Sequence, residues 1–322
     1  MGKLSYPGSV ESIKITGEVA DMEKYLLGID LGGTNLRIAV VTSEGQLMEE
    51  INIKTESDKG PNYIIGQMIQ HCEKILQDRN IEAIGIGSPG PLDVKQGLIL
   101  SPNNLPGWDN IPIVSMLEKA LNKKVYLDND ANAAALAEAI IGAGEGKESV
   151  FYITVSTGVG GGFVFRKQLL QGAHFCAGEI GNLIVDCEGP SHHALNVGAL
   201  ETLASGTAVK QRGREQLRIT GHAGEVIEMA MNGNEEAGNI VDQMIVSLAK
   251  GIANIVHTVD PHIIVLGGGV MQSKDYIMPL LLERVNDFLY PQLQHKVEIV
   301  DASLGTKAGV IGAALLTQQA SF

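Results

Sequence analysis

Two hairpin patterns of apolar and polar positions recur along the chain, about 120 residues apart. Each consists of a short apolar strand, a turn rich in Gly and Thr, and a second strand with apolar residues at alternate positions. The first pattern covers residues 25–41 and turns at 30–35, and the second covers residues 150–165 and turns at 154–162. This recurrence predicts one fold unit that is used twice.

Periodicity and flanking residues predict further elements around the two hairpins. The expected helices cover residues 63–77, 131–141, 224–231, 235–257 and 308–316. The expected strands cover residues 81–87, 125–127, 263–266 and 297–300. Strands that alternate with helices and end in glycine are typical of an α/β protein whose ligand loops lie at the strand termini.

Length, charge and cysteine content narrow the class of protein. The 322 residues predict two domains at roughly 150 residues each. The net charge is −13 and no stretch is basic enough to follow a nucleic-acid backbone. Three scattered cysteines are too few for a disulfide framework, and no apolar run reaches the roughly 18 residues of a membrane span. We therefore expect a cytoplasmic protein without nucleic-acid or membrane partners.

The turn at residues 30–35 is a candidate phosphate-binding loop. Gly32 and Gly33 allow backbone N–H groups to approach phosphate oxygens closely, and Thr34 and Asn35 add neutral donors. Asp30 at the strand end can hold Mg²⁺ directly or through water. An ordinary hairpin turn is the alternative interpretation.

The second turn strengthens the phosphate interpretation. Thr157 is placed to donate to a terminal phosphate, and the glycines between 158 and 162 serve no core-packing purpose on this interpretation. A third cluster at residues 267–269 follows an apolar strand and could let a flat base lie against the backbone. The chain has 39 glycines, which is more than its turns require. We interpret the additional glycines, including Gly28, Gly85 and Gly87, as positions where the backbone approaches a ligand. The chain contains neither a Walker P-loop nor a Gly-x-Gly-x-x-Gly turn followed by a suitable helix.

The sequence Asp128-Asn129-Asp130 is the best candidate for acid–base chemistry. It leaves a predicted strand and opens a predicted helix, whose N-terminus favours an ionised carboxylate. Phosphoryl transfer to an alcohol requires such a carboxylate to accept the hydroxyl proton. Helix capping is the alternative, and it explains one of the three residues better than all three.

Eight short blocks, in chain order, resemble the ROK family of sugar kinases and sugar-responsive repressors. They cover residues 30–35, 87–90, 104–108, 128–138, 154–162, 178–181, 200–205 and 266–270. The resemblance implies an α/β actin-like ATPase (ribonuclease H-like) fold with two lobes and a central cleft. It divides the chain into an N-terminal extension over 1–24, a small lobe over 25–128 that includes a C-terminal helix over 306–322, and a large lobe over 129–305.

The same resemblance assigns a role to each candidate residue. Asp130 becomes the general base for a sugar hydroxyl. The residues implied in sugar binding are Gly90, Asn104, Asn129, Asp130, Glu179, Asn182 and Glu201. The residues implied in binding ATP and its phosphates are Asp30, Gly32, Gly33, Thr34, Asn35, Thr157, Gly158, Gly160, Gly268 and Gly269.

The chain departs from the family at a structural zinc site. Family members carry one His and three Cys, and the corresponding positions here are Asn182, His192, Ala194 and Ala199. One His makes no tetrahedral site, so we expect no structural zinc and a loop held by packing. The open alternative is a substitute site built from the nearby residues His174, Cys187 and His193. Because the missing His also contacts sugar in the family, Asn182 leaves the hexose specificity open, although an amide still donates and accepts.

The resemblance implies an ATP- and Mg²⁺-dependent kinase of the glucokinase type that phosphorylates the 6-hydroxyl of glucose. An N-acetylmannosamine-type kinase and a non-catalytic sugar sensor are the alternatives, and polyphosphate is a further possible donor. A repressor is disfavoured because the residues before the first strand are too few for a helix-turn-helix domain. A homodimer is expected from the family alone.

Overall fold

The computed structural model describes residues 24–102, 104–192 and 194–319. The extension expected over residues 1–24 lies outside the described residues apart from Lys24, as do His193 and the last residues of the helix expected over 306–322.

Two five-stranded mixed sheets form the centre of the fold. In spatial order, the first contains β3 (Leu47–Lys54), β2 (Asn35–Thr42), β1 (Tyr25–Leu31), β4 (Ile81–Ser88) and β7 (Lys124–Asn129). The second contains β10 (Gln168–Leu169), β9 (Val159–Phe165), β8 (Ser149–Val155), β11 (Ile263–Gly267) and β12 (Ile299–Asp301). The short strands β5 (Leu92–Asp93) and β6 (Leu98–Ile99) pair separately.

The two sheets share one plan. In the first, β1 pairs antiparallel with β2 and parallel with β4, and β4 pairs parallel with β7. In the second, β8 pairs antiparallel with β9 and parallel with β11, and β11 pairs parallel with β12. The prediction of one fold unit used twice is confirmed.

Nine α-helices are present in the described part of the chain. They are α1 (Pro61–Asp78), α2 (Ile113–Leu121), α3 (Asp130–Ile140), α4 (Leu200–Ala204), α5 (Gly206–Leu217), α6 (Ala223–Met231), α7 (Glu235–Val259), α8 (Lys274–Phe288) and α9 (Ala308–Leu315). Each predicted helix and strand is present with ends close to the predicted ones. Helices α2, α4, α5 and α8 are additional to the prediction.

Three hydrophobic cores explain why the elements pack as they do. One covers a face of the first sheet with α1 and α2, and another covers a face of the second sheet with α4 to α8. The third core lies between the two sheets, where α3 and α9 take apolar residues from both. Leu26 and Val41 reach it from the first sheet, and Val150 and Val265 reach it from the second.

Helices α3 and α9 approach the strands and each other through glycines. A Cβ atom at Gly312 in α9 would stand 1.6 Å from the carbonyl oxygen of Ala133 in α3. A Cβ atom at Gly85 in β4 would stand 1.8 Å from the carbonyl oxygen of Ala313. Only residues without a side chain permit these contacts.

The interpretation of the glycines between 158 and 162 as free of packing is wrong. Gly160 and Gly162 lie in β9 and face α3, where a Cβ atom would stand 3.1 Å from the methyl of Ala131 and 2.7 Å from that of Ala135, respectively. The glycines of β1 and β4 likewise face α9 and α3. These glycines thin the sheets so that two small-residue helices fit between them.

Within residues 24–102, 104–192 and 194–319, no helix combines the length and the apolar character that a membrane span requires.

Candidate active site

The strand–helix junction between β7 and α3 holds three polar side chains in fixed positions. Asn129 is the N-cap of α3, and its Oδ1 accepts from the N–H of Ala131 at 2.9 Å. Asp130 is the first helical residue, and its Oδ1 accepts from the same N–H at 2.8 Å. Asp128 is 2% exposed and accepts from Nδ2 of Asn132 at 2.8 Å. Capping therefore accounts for Asn129, while Asp130 keeps its second oxygen for other chemistry.

Five carboxyl groups lie close enough for each to affect at least one of the others electrostatically, and they belong to Asp30, Asp128, Asp130, Glu179 and Glu201. Burial and the charge of Asp130 raise the pKa of Asp30 to about 6, although the guanidinium of Arg37 acts in the opposite direction. Burial and the charges of Asp130 and Glu201 also raise the pKa of Glu179. Burial of the carboxyl group raises the pKa of Asp130 itself, although the residue as a whole is exposed to solvent. Neighbouring ionisable groups with shifted pKa values are a frequent property of functional sites.

The predicted sugar and phosphate residues meet at the first turn. The N–H of Gly32 donates to the carbonyl of Asn35 at 2.9 Å, and Oγ1 of Thr55 donates to the carbonyl of Gly32 at 2.6 Å. A Cβ atom at Gly33 would stand 2.7 Å from the carbonyl oxygen of Asn104 and 3.4 Å from its Nδ2. The candidate phosphate turn is therefore in contact with a candidate sugar residue that lies far away in sequence.

The second turn repeats this arrangement with a different residue. The N–H of Ser156 donates to the carbonyl of Gly158 at 2.9 Å and closes the turn around Thr157. The N–H of Val159 donates to Oε2 of Glu201 at 2.9 Å, and a Cβ atom at Gly158 would stand 2.4 Å from that same oxygen. Glu201, predicted as a sugar ligand, is thus joined to the second candidate phosphate turn.

The glycines at 267–269 lie beside this second turn. Gly268 has a φ of 95°, and a Cβ atom there would stand 2.3 Å from the carbonyl oxygen of Val155. A Cβ atom at Gly269 would stand 3.6 Å from Oγ of Ser156. The structure therefore brings the candidate adenosine cluster and the turn around Thr157 together at the ends of β11 and β8.

Two further predicted sugar residues, Gly90 and Asn182, lie beside the strand–helix junction and beside the loop before α4, respectively. A Cβ atom at Gly90 would stand 3.6 Å from Nδ2 of Asn129. Asn182 lies in the 3-10 helix Ile180–Asn182, and its Oδ1 accepts from the N–H of Asn196 at 2.7 Å. One lone pair of the Asn182 amide oxygen is therefore committed to the loop that carries the family's zinc positions, which leaves the other lone pair and the amide nitrogen for a ligand.

Backbone hydrogen bonds close the loop between Asn182 and Leu200. The N–H groups of Val185 and Asp186 donate to the carbonyl of Gly198 at 2.9 and 3.3 Å, and the N–H of Leu200 donates to the carbonyl of Leu183 at 2.8 Å. Over the described residues, no group of three or more His, Cys, Asp and Glu side chains is arranged to hold a metal ion. His193, one of the possible substitute ligands, lies outside the described residues.

The carboxylate of Asp30 fits a magnesium ion whose other ligands are mainly substrate phosphates and waters. Mg²⁺ in phosphate-transferring sites is bound through one or two carboxylates, substrate phosphates and several waters. Asp30 supplies one such carboxylate beside the first turn, and its strand register places it opposite Gly87 in β4. A set of several protein ligands is not required for this mode of binding.

Several hydrogen bonds at the site could not have been predicted from the sequence. Nε2 of Gln171 donates to Oδ2 of Asp128 at 2.5 Å, and Nη1 of Arg37 donates to the carbonyl of Thr306. The N–H groups of Gly206 and Thr207, at the start of α5, donate to the carbonyls of Ser156 and Thr157 at 2.8 and 3.3 Å. Each pair is distant in sequence and belongs to no motif, so only the fold reveals it.

Known proteins similar to this chain are sugar kinases and a repressor. A glucokinase from Thermotoga maritima is 31% identical over 91% of this chain and 97% of its own length. An N-acetylmannosamine kinase from Shigella flexneri is 32% identical over 91% of this chain and 98% of its own length. A xylose repressor from Bacillus spizizenii is 27% identical over 89% of this chain and 75% of its own length.

Solved structures share the same fold over nearly the whole chain. A ROK hexokinase from Thermus thermophilus has 35% identity and a TM-score of 0.84, and the match covers 91% of this chain and 97% of that one. A ROK family glucokinase from Streptomyces griseus, in complex with glucose and AMPPNP, has 28% identity and a TM-score of 0.75 over 90% and 98% of the two chains. The fold is the actin-like ATPase fold of these kinases. The model of the ROK family matches residues 26–320, and the chain belongs to the ROK family.

Proposed function

We propose that this protein is an ATP-dependent hexose kinase that phosphorylates the 6-hydroxyl of glucose. The observation that carries the proposal is the position of Asp130, which opens α3 among the carboxyl groups of Asp30, Glu179 and Glu201. The similar glucokinases and the ROK hexokinase support the same reaction class.

Asp130 is the general base in this proposal. Its Oδ1 is held by the N–H of Ala131, which fixes the carboxylate relative to the helix axis. The second oxygen accepts the proton of the sugar hydroxyl as that hydroxyl oxygen bonds to the γ-phosphorus and the bond from phosphorus to ADP breaks. Its raised pKa suits the role, because a base is more effective when its pKa lies nearer the working pH.

The two glycine turns bind the phosphates in this proposal. Backbone N–H groups at Gly33 and Gly158 and the hydroxyls of Thr34 and Thr157 are donors that can face phosphate oxygens. The N–H of Gly32 instead closes its turn by donating to the carbonyl of Asn35. Asp30 would hold Mg²⁺, which supplies charge neutralisation to the phosphates when it is bound. Gly268 and Gly269 bring backbone without side chains to the surface on which the adenosine would lie.

The sugar contacts both turns through carboxylate and amide groups. Asn104 lies against Gly33 and Glu201 lies against Gly158, so a sugar held by these two residues is adjacent to the phosphates of the donor. Such short polar side chains pair with the hydroxyl groups of a polyol by donating and accepting hydrogen bonds. Asn129 and Glu179 complete the proposed sugar site.

Replacement of Asp130 tests the assignment of the base. Asp130→Ala should lower kcat by roughly 10²–10⁴-fold, because general-base assistance is lost, while glucose still binds. ADP release measured by a coupled assay gives kcat, and calorimetric titration gives glucose binding. Asp78→Asn, at the exposed last residue of α1, is the matched control and should keep wild-type turnover. Near-normal turnover of Asp130→Ala would remove Asp130 from the role of base.

A panel of acceptors tests the substrate. Glucose, mannose, N-acetylglucosamine, N-acetylmannosamine and fructose should be compared with ATP as donor, and polyphosphate should be compared with ATP for the best acceptor. We expect the highest kcat/KM with glucose and ATP. Absence of turnover with every sugar would contradict the kinase proposal and favour a sugar-binding sensor.

N-acetylmannosamine is the second candidate acceptor. The N-acetylmannosamine kinase of Shigella flexneri is 32% identical to this chain, and the glucokinase of Thermotoga maritima is 31% identical. The hydrogen bond from Asn196 occupies one lone pair of the Asn182 amide oxygen, so this position offers a sugar two N–H donors and one remaining acceptor site. Preferential turnover of N-acetylmannosamine in the panel would establish this alternative.

A further inference from the structure

Asp128 is a buried carboxyl group that the proposed phosphoryl transfer does not use. It lies in β7, two residues before Asp130, and is 2% exposed. Its Oδ1 accepts from the N–H of Asn129 at 2.7 Å and from Nδ2 of Asn132 at 2.8 Å. Its Oδ2 accepts from Nε2 of Gln171 at 2.5 Å. Two of the three donors belong to the same strand–helix junction, and Gln171 alone comes from elsewhere in the chain.

Gln171 begins a compact loop that ends at Glu179. Its carbonyl accepts from the N–H of Ala177 at 3.1 Å, and the N–H of Phe175 donates to the carbonyl of Gly172 at 3.3 Å. The N–H of Glu179 donates to the carbonyl of Cys176 at 3.3 Å. These bonds close residues 171–179 into a unit, which is called the 171–179 loop below.

The loop is attached to the rest of the protein at its two ends. At its end, Gly178 has a φ of 89°, and a Cβ atom there would stand 2.9 Å from the carbonyl oxygen of Gly161 in β9. At its start, the N–H of Leu170 donates to the carbonyl of Phe163 in β9 at 2.8 Å, and the side chain of Gln171 bonds to Asp128. The bond between Gln171 and Asp128 therefore ties the loop that carries Glu179 to the strand–helix junction that carries Asp130.

We propose that Gln171 is a positioning residue that determines the affinity of the site for its sugar. The inference rests on the proposed function, because it takes Glu179 as a sugar ligand. The amide of Gln171 is the group that matches Asp128, since an amide N–H donates to a carboxylate whereas a carboxylate at the same place would repel it. Nucleotide binding depends on the turns at residues 32–35 and 156–159, which this bond does not touch.

Gln171→Glu converts the bond into a contact between two carboxylates without changing the size of the side chain. We expect the Kd for the best hexose to rise about tenfold or more, because a buried acceptor loses its donor. The Kd for a non-hydrolysable ATP analogue should stay within about twofold of wild type, because Gln171 does not contact the nucleotide turns. Gln77→Glu, on the exposed surface of α1, is the matched control and should change neither constant.

The double variant Asp128→Asn/Gln171→Glu reverses the polarity of the bond. The Asn amide then donates to the Glu carboxylate, and its oxygen still accepts from the junction. We expect the hexose Kd to return to within about threefold of the wild-type value, which a general loss of stability would not produce. Amide hydrogen exchange of the 171–179 loop should be faster in Gln171→Glu than in wild type and slower again in the double variant.

The outcomes separate this inference from the proposed function. If the wild type binds a hexose and Gln171→Glu binds it equally well, the inference is wrong and the kinase proposal stands. If the double variant binds no better than Gln171→Glu, the bond does not set the affinity and the inference is also wrong. If the wild type binds no hexose, the proposed function fails and the claim about sugar affinity fails with it. Hydrogen exchange in that case still decides whether Gln171 holds the loop.

Discussion

At the scale of single residues, the site concentrates carboxyl groups that the folded protein would be more stable without. Burial and the neighbouring charge of Asp130 raise the pKa of Asp30 to about 6, from 3.8. Ionised Asp30 at neutral pH therefore opposes folding, and a bound cation would offset that opposition. Such strain is typical of sites where activity and stability compete.

Asp30→Asn should make the ligand-free protein more stable at neutral pH. A raised pKa means that the folded state holds its proton more tightly, so the contribution of Asp30 to stability is complete below pH 3.8 and is lost as the pH rises to about 6. The shift of roughly two units corresponds to about 3 kcal/mol. The free energy of unfolding from urea titrations should therefore be equal for the two proteins near pH 3, below the unfolded pKa, and about 3 kcal/mol higher for Asp30→Asn at pH 7.

Asp78→Asn is the control for this measurement, because Asp78 is exposed at the end of α1 and its replacement should change stability by less than about 0.5 kcal/mol. An Asp30→Asn protein that is no more stable than wild type at pH 7 would show that Asp30 is not under electrostatic strain.

The sequence predicts the site residues that belong to a local motif with a recognisable chemical role. Asp128-Asn129-Asp130 is recognisable because helix capping explains one polar residue between a strand and a helix but not three in a row. Gln171 carries no such signal, since a glutamine between a leucine and a glycine is compatible with any surface loop. Its role depends on a contact with Asp128 across 43 residues, which only the fold creates.

At the scale of elements, close contacts between helices and strands determine how the site is built. Helix α3 carries Asp130 at its first position, and α9 crosses it with Gly312 at the contact. A Cβ atom at Gly312 would stand 1.6 Å from the carbonyl oxygen of Ala133, three residues after Asp130. The position of the proposed base is therefore coupled to the packing of α9.

Three Gly→Ala variants should lose stability in the order of their contacts. Gly312→Ala should lower the free energy of unfolding by about 3 kcal/mol or more, because backbone must move. Gly160→Ala should cost less, because the neighbours at 3.1 and 3.3 Å are methyl groups of Ala131 and Thr154. Gly66→Ala, within α1 where nothing lies within 4 Å, should gain up to about 1 kcal/mol. Urea midpoints of the three purified proteins test this order, and equal midpoints would contradict the packing described.

The sequence could not distinguish glycines that face a helix from glycines that face a ligand. Both occur in the same apolar strands, and the difference lies in which face of the strand the helix covers. The sequence did not predict α5, because most of its residues are polar and few are buried, so it has no clear apolar periodicity. Helix α8 contains Pro279, which is ordinarily a signal against a helix interior.

At the scale of the whole molecule, a shared core joins the two sheets. Helices α3 and α9 pack against apolar residues of both sheets in one core. If one sheet unfolded, the face of the other sheet that contributes to this core would lose part of its packing. The lobe boundary predicted between residues 128 and 129 lies at the last residue of β7, just before α3, and stays a prediction, as does the homodimer. The shared core nevertheless has a consequence for folding, because it couples the two halves energetically.

The two halves should unfold together in a single transition. Trp108 is the only tryptophan and is buried in the core of the first sheet, so its fluorescence reports that half. Far-UV circular dichroism reports both halves, and the larger part of its helical signal comes from α4 to α8 in the other half. Coincident urea midpoints from the two probes indicate a two-state transition. We expect coincidence in the ligand-free protein at neutral pH.

A core variant in one half sharpens this test. Ile245 is fully buried in the core of the second sheet, and Ile245→Ala should remove about 2–5 kcal/mol of stability. If the shared core couples the halves, the Trp108 transition must move to lower urea by the same amount as the dichroism transition, although Ile245 and Trp108 belong to different cores. If the Trp108 midpoint stays in place while the dichroism midpoint falls, the halves unfold independently. The contacts of α3 and α9 would then hold the lobes in register without making them one cooperative unit.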